Sequence, residues 1–291
     1  MSTTMTLTTE SPETGPAPRP VHRLTGLGVL RSEWAKLWSL RSTWITLGLG
    51  LVFLVAVGVI AAMQYSSQFD SGNPMEDDFA DSTAVSLALF GTMFAQLALG
   101  VLGVLITAGE YSTGMIRSTL AAVPRRLPVL WAKSAVFGLV ALVVGMVGAF
   151  GTFLFASGIV DGTDAAMGLS DTGVVRSLLG AGLYLCLIGV IGAALGSLMR
   201  SVAGGISVLV ATLMLVPGLM TLLPNAWEEN VTPYLPSSAG ESMFALTHDS
   251  TTLSPTAGAA GLPRLDASRA GRGGVPNGTP RRLTAPVRSD V

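Results

Sequence analysis

The chain has few charged residues and few groups that carry catalytic chemistry. Only 12% of its 291 residues are Asp, Glu, Lys or Arg, against about a quarter in soluble domains. The single cysteine, Cys186, excludes a disulfide framework and a cysteine-based metal site within one chain. The two histidines, His22 and His248, lie outside the apolar runs, which argues against a metal centre or a histidine-based hydrolytic site. The chain is therefore not expected to be an enzyme.

Lysine is scarcer still, because the sequence contains only Lys36 and Lys133. Neither follows the glycine spacing of a Walker A loop, which cradles phosphate with backbone N–H groups. The chain is therefore expected to bind no ATP in that way, and no other cofactor or metal site is predicted on it.

Long uncharged runs dominate what is present. A helix needs about 20 predominantly apolar residues to cross roughly 30 Å of hydrocarbon. Five runs free of Asp, Glu, Lys, Arg and His reach that length, namely Trp44–Met63, Ala84–Gly109, Ser134–Val160, Ser177–Met199 and Val202–Leu223. The sequence therefore predicts an all-α polytopic membrane protein with five transmembrane helices.

The distribution of basic residues predicts the orientation, since short loops rich in Lys and Arg stay in the cytoplasm. Basic residues precede the first run and return between the second and third, whereas the loop from Gln64 to Thr83 carries only acidic ones. The N-terminus is therefore expected to be cytoplasmic. A glycine-rich spacing within the third and fourth runs predicts close helix packing, more readily within one subunit than at a dimer face. Pro217 is expected to kink or loosen the fifth run.

The segments outside the spans divide the chain further. Residues 1–24 are expected to be a disordered cytosolic tail and residues 25–253 the transmembrane domain. Ahead of the first span, apolar residues recur at helical spacing, which predicts an interfacial helix on the inner leaflet, although packing on a soluble partner would give the same pattern. The residues of this predicted helix that we single out are Arg31, Glu33, Trp34, Lys36, Leu37 and Trp38.

The uncharged spans bear on mechanism. Proton-coupled and many ion-coupled carriers use intramembrane ionisable residues to bind the driving ion. Because the five runs contain none, energy for transport is expected to arrive mechanically from a cytosolic partner. The segment after the second span mixes apolar and polar residues up to Pro124, which predicts a short surface helix that a partner can bind. An anchoring loop that touches only lipid headgroups is the alternative.

These elements together resemble the permease subunits of bacterial type-2 ATP-binding-cassette (ABC) exporters. The resemblance rests on Arg-Ser-Glu-Trp-x-Lys-Leu at Arg31–Leu37, Glu-Tyr-Ser-Thr-Gly-Met-Ile-Arg at Glu110–Arg117 and Pro-Arg-Arg at Pro124–Arg126. It implies a multi-pass protein of the bacterial cell membrane, a coupling helix that docks on a cytosolic ATPase subunit holding ATP and Mg²⁺, and a second permease subunit, identical or homologous. The implied coupling residues are Glu110, Tyr111, Ser112, Thr113, Gly114, Met115, Ile116, Arg117, Pro124, Arg125 and Arg126.

The C-terminal part departs from that family pattern. Residues 224–247 resemble the family's outer re-entrant segment, but no sixth span follows. Residues 254–291 are expected to be disordered, and our hypothesis is that a frameshift produced this tail. Two other functions stay open: a membrane scaffold or sensor that does not transport, and an ion-coupled carrier. The residues do not identify the substrate, although uncharged spans favour amphiphilic or apolar cargo.

Overall fold

A computed structural model describes residues 25–72, 81–122, 126–220, 222, 231 and 235–246 of the chain. The described residues contain no β-strand. Their α-helices are α1 (Gly26–Ser39), α2 (Arg41–Ser71), α3 (Ala84–Leu89), α4 (Thr92–Ser112), α5 (Met115–Ala122), α6 (Arg126–Ile159), α7 (Val174–Met199), α8 (Val202–Val210), α9 (Val216–Met220) and α10 (Pro236–Phe244). The predicted tails, residues 1–24 and 254–291, lie outside the described residues, as do residues 224–230, 232–234 and 247 of the predicted outer segment.

Five helical segments are long and apolar enough to cross a membrane, as the uncharged runs predict. They are Arg41–Ser71, Ala84–Ser112, Leu127–Ile159, Val174–Met199 and Val202–Met220. Consecutive segments run in opposite directions, so that α1, α5 and the C-terminus of α7 meet at one end of the bundle. We call this the α1 end, and the opposite end, where α10 packs on the N-terminal half of α7, the α10 end.

The helices extend beyond the uncharged runs that predict them. Glu110 lies inside α4, Lys133 lies one turn or more inside α6, and Arg176 lies in the first turn of α7. A charged residue can sit inside such a helix when it pairs with another charge or lies near the membrane surface. The expectation of spans without ionisable groups therefore holds for the runs but not for the helices that contain them.

The second predicted span is broken near its start. Thr83 caps α3 through reciprocal bonds with Ser86, a capping box that fixes where the helix begins. The chain then turns at Phe90 and Gly91 before α4. A Cβ atom at Gly91 would collide with the backbone of Leu54 in α2. Glycine is therefore required here because the two backbones touch.

Glycines also bring α4 and α7 into backbone contact. A Cβ atom at Gly192 would strike the carbonyl oxygen of Gly100, and one at Gly103 would strike that of Gly189. Small residues allow this approach in lipid, where close packing replaces the hydrophobic drive between helices. Glycines of the fourth predicted span therefore pack within one subunit, as expected from their spacing.

The fifth span is loosened where Pro217 predicts it. Residues Ala211–Leu215, between α8 and α9, form a π-helical turn. Proline offers no N–H to the carbonyl four residues earlier and its ring crowds that carbonyl, so a wider turn relieves both effects. The irregularity lies in the preceding turn, as this mechanism requires.

Candidate functional site

The first helix presents a mixed face to the bundle. Leu37 and Glu33 are buried at 6% and 2% exposure, and Leu30 packs beside them. Trp34 and Trp38 instead stay exposed and stack with ring centroids 5.4 Å apart. Exposed tryptophans at the end of a membrane-length bundle are typical of headgroup depth, which agrees with the predicted interfacial helix. The polar residue Glu33 nevertheless belongs to the buried face.

Glu33 is buried because it belongs to a cluster of four charges from three helices. Lys133 Nζ of α6 lies 2.6 Å from Glu33 Oε2 and 2.8 Å from Glu110 Oε1 of α4. Lys36 Nζ lies 2.6 Å from Glu33 Oε1 and 3.2 Å from Glu110 Oε1. We call Glu33, Lys36, Glu110 and Lys133 the charge cluster. Each ammonium contacts both carboxylates, so the four formal charges cancel.

Both lysines of the chain lie in the charge cluster. A lysine ammonium is a compact charge with three donors, which suits contacts to two carboxylates at once. Burial by itself would lower the pKa of Lys36, but the hydrogen bonds and charges of Glu33 and Glu110 outweigh it and raise that pKa. Lys36 is therefore held in its charged form.

Buried ion pairs contribute little net stability, because desolvation offsets their attraction, yet removing one partner is costly. The charge cluster therefore fixes which residues of α1, α4 and α6 face one another. A shift of α4 relative to α6 would separate Glu110 from Lys133 in a poorly solvated environment. The three helices are consequently expected to move together at the α1 end.

The predicted coupling segment forms two helices rather than one. Glu110, Tyr111 and Ser112 complete α4, the chain turns at Thr113 and Gly114, and α5 begins at Met115. Gly114 adopts a φ of +72°, which favours glycine and permits the sharp turn. Met115 and Arg117 are exposed, whereas Glu110 is only 8% exposed. Pro124 and Arg125 lie outside the described residues, as does the Arg126 side chain.

A cavity of about 170 Å³ lies between α5 and the charge cluster. Ile116 of α5 lines it together with Glu110 and Lys133. Arg200, at the end of α7, also lines it and places its guanidinium 6.0 Å from the ring centroid of Tyr111. This distance is within the range of a cation–π contact. Helix α5 thus lies next to groups of three membrane-length helices, α4, α6 and α7.

Comparison with known protein families identifies the family to which the chain belongs. The model for the ABC-2 family transporter protein matches residues 29–218, about two thirds of the chain. This chain belongs to the ABC-2 transporter family. Comparison with curated proteins and with solved structures gave no match.

Membership makes the chain a multi-pass membrane protein and a permease subunit of an ABC transporter. Members of the ABC-2 family associate with an ATP-binding-cassette subunit and are a transport component of the membrane rather than an enzyme. The match begins within α1 and ends within α9, so it includes all four residues of the charge cluster and the whole of α5.

Sequence reasoning missed the charge cluster, although it singled out Glu33, Lys36 and Glu110 separately and noted Lys133 as the second lysine of the chain. Glu33 and Lys133 are 100 positions apart, so only the fold brings them together. The sequence did contain one signal: Glu110 directly follows the second uncharged run, and Lys133 directly precedes the third. Both were therefore predicted to lie at the same face of the membrane. Two opposite charges that lie at the same depth in the membrane on neighbouring helices are candidates for an ion pair.

Proposed function

We propose that this chain is the permease subunit of an ABC exporter, driven by ATP hydrolysis on a separate subunit that docks on α5. The observation that carries the proposal is the charge cluster directly beside α5. A helix that receives force must be joined to the spans that move. Here α5, on which Met115 and Arg117 are exposed, is joined by one tight turn to α4, whose Glu110 pairs with Lys36 of α1 and Lys133 of α6.

The path from α5 toward the opposite membrane face consists of packed elements. α4 runs without interruption from Ser112 back to Thr92, and its glycine contacts couple it to α7. Packed helices transmit displacement because protein interiors have low compressibility. Movement of α5 would therefore tilt α4 and α7 as a unit, with the broken segment at Phe90 and Gly91 as a site where the chain can bend.

The direction of transport and the second subunit are inferred from charge and family. The basic residues near α1 support a cytoplasmic location of the α1 end, where an ATPase subunit has access to ATP. Two permease subunits, identical or homologous, would form the pathway between them. Binding of ATP would close the two ATPase subunits, move both α5 helices and drive cargo outward.

Reversal of one exposed charge on α5 tests the docking surface. Arg117 is exposed on α5, and Arg31 is an equally basic, exposed residue of α1 at the same end of the bundle. We expect Arg117→Glu to reduce ATPase turnover in the purified complex by about fivefold or more, because rim charges at interfaces contribute about 1 kcal/mol. The control Arg31→Glu should leave turnover near that of the wild type.

Equal insertion of both variants is checked by the amount of each chain in the membrane fraction, and equal folding by size-exclusion chromatography of the purified chains. Equal turnover in Arg117→Glu and wild type would refute α5 as the docking helix. A loss of turnover in Arg31→Glu alone would move the docking surface to α1.

A further inference from the structure

A second cavity lies at the α10 end, away from the charge cluster. It has a volume of about 380 Å³ and lies between α4, α7 and α10, beside the start of α3. This volume falls in the range of small-molecule sites, roughly 300–1,000 Å³. Apolar residues provide most of its wall, including Phe90, Met93 and Phe244. The cavity thus has the size and the apolar wall of a ligand site.

The charged residues that line this cavity are all acidic. They are Asp81, just before α3, and Glu241 on α10, and no Lys, Arg or His is present among the described lining residues. Arg176 of α7 is outside the lining and donates to the carbonyl oxygen of Ala245 at 2.7 Å. The negative charge of the cavity is therefore not neutralised from within its described wall.

The floor of the cavity holds buried polar groups. Tyr184 Oη donates to Gln96 Oε1, and both side chains are at most 5% exposed. Thr92 also lines the cavity and is 3% exposed, but its hydroxyl has no hydrogen-bond partner among the described residues. Leaving a buried hydroxyl unpaired costs free energy that a polar ligand group can recover. This hydroxyl is an independent sign that the cavity accommodates a hydrogen-bonding ligand.

The docking of α10 defines one wall. A Cβ atom at Gly240 would collide with the ring of Tyr184, so α10 lies directly on that ring. Phe244 places its ring centroid 5.8 Å from that of Tyr184. The aromatic faces offer apolar and cation–π contacts, which organic cations favour. Acidic groups and aromatic rings that line the same cavity therefore suit a ligand with a cationic head and an apolar body.

We propose that the cavity lined by Asp81, Thr92, Gln96, Tyr184 and Glu241 binds organic ammonium amphiphiles. The ammonium group pairs with the carboxylates and donates to the free Thr92 hydroxyl oxygen, while the apolar body contacts Phe244 and Met93. As a substrate site this assignment rests on the proposed export function. As a binding site it can be measured without the ATPase subunit.

Glu241 also gives the site a dependence on pH. Although Glu241 is solvent-accessible, loss of part of its hydration in the protein raises the pKa of its carboxyl above the ordinary value. The other titratable groups of the described lining are Asp81 and Tyr184, and the guanidinium of Arg176 lies beside the cavity against Ala245. A cation binds best when Glu241 is ionised, so affinity should fall as pH decreases through this raised pKa.

The test is equilibrium dialysis of the purified full chain in lipid nanodiscs, with empty nanodiscs subtracted. The probes are 4-phenylbutylamine, which is protonated at neutral pH, 4-phenylbutanol and 4-phenylbutanoate, which share one apolar body. We expect the amine to bind at least about fivefold more tightly than the alcohol, since one charge pair near water contributes about 1 kcal/mol. The carboxylate should bind most weakly of the three.

Variants locate the site. Glu241→Gln and Asp81→Asn should each weaken amine binding by about fivefold without changing alcohol binding, because one accessible charge pair is lost. Asp161→Asn removes an exposed acidic residue at the same end that does not line the cavity, and should change nothing. Thr92→Val should weaken the amine and the alcohol alike, because both lose the same hydroxyl contact.

Equal binding of the three probes would overturn the proposal, as would equal effects of Glu241→Gln and Asp161→Asn. Binding of the amine by the chain, combined with no ATP-driven transport of it by the complex, would retain the site and remove its role in export. Failure of the site and failure of the proposed function are thereby separate outcomes.

Discussion

Replacement of Lys133 by methionine is the perturbation that most directly tests the charge cluster. Methionine keeps much of the unbranched side chain and removes the ammonium. Lys133 is 5% exposed, and its Nζ lies 2.6 Å from Glu33 and 2.8 Å from Glu110. After the change, two carboxylates share Lys36 alone, so one negative charge stays unpaired in a buried position.

The structure gives the magnitude and an order of effects. Breaking a buried pair by removing one partner costs about 3–5 kcal/mol. Lys36→Met should cost less, about 1 kcal/mol, because the Lys36 side chain is 31% exposed and that of Lys133 only 6%, so that water can reach the carboxylates on the side that Lys36 vacates. Adding Glu110→Gln to Lys133→Met leaves the neutral pair Glu33–Lys36, so the double variant should be more stable than Lys133→Met alone by about 1–3 kcal/mol.

Equilibrium unfolding in mixed micelles of mild detergent and increasing sodium dodecyl sulfate, followed by circular dichroism of the helices, measures these differences. The reasoning is refuted if Lys133→Met destabilises the chain no more than Lys36→Met does. It is equally refuted if Glu110→Gln adds its own cost to Lys133→Met instead of relieving it, because the two side chains would then not interact.

Three further predictions use the same unfolding assay. Gly192→Leu should destabilise the chain by about 3 kcal/mol or more, because it drives α7 away from the backbone of α4, whereas Gly151→Leu, which has open space, should cost far less. The free energy of unfolding of the wild type should exceed that of Lys36→Met by a constant amount at every pH below 10.5, the ordinary pKa of lysine. This difference should disappear only as pH rises through the higher pKa that Lys36 has in the folded chain. Its loss between neutral pH and 10.5 would contradict the prediction. Glu241→Gln should stabilise the chain at neutral pH. A carboxyl whose pKa is raised on folding contributes stability below its ordinary pKa of 4.5 and loses that contribution as pH rises through its pKa in the folded chain, whereas glutamine stays neutral throughout. A less stable variant would contradict this.

The membrane architecture could be predicted from the sequence because one local rule governs it. Lipid requires about 20 consecutive apolar residues per helix, and uncharged runs of that length can be counted directly. Five membrane-length helices were predicted and are confirmed. The position of the loosened fifth span follows as simply, since proline acts on its own preceding turn.

The break at Phe90 and Gly91 could not be predicted, because those residues continue the apolar run. The backbone of Leu54 occupies the space that a side chain at position 91 would need, and that contact depends on how α2 lies across the bundle. Hydropathy indicates which residues can lie in lipid, but it does not indicate where the backbones of two helices come into contact.

The candidate site shows the same division between local and distant causes. The resemblance of Glu110–Arg117 to a coupling element directed attention to the α1 end of the bundle, where the charge cluster lies, but it treated Glu110 as part of the surface segment. The structure buries Glu110 because Lys133 and Lys36 neutralise it, and these partners are 23 and 74 positions away. The role of α5 in coupling stays a prediction.

Cross-linking to the ATPase subunit tests the central claim most directly. A photoreactive amino acid is placed at Arg117 on α5 and, as a control, at Asp161 at the α10 end, and both chains are expressed in membranes with the cassette subunit. The account predicts a cross-link to the ATPase subunit from position 117 and none from position 161. A cross-link from position 161, or none from position 117 in an assembled complex, would contradict it.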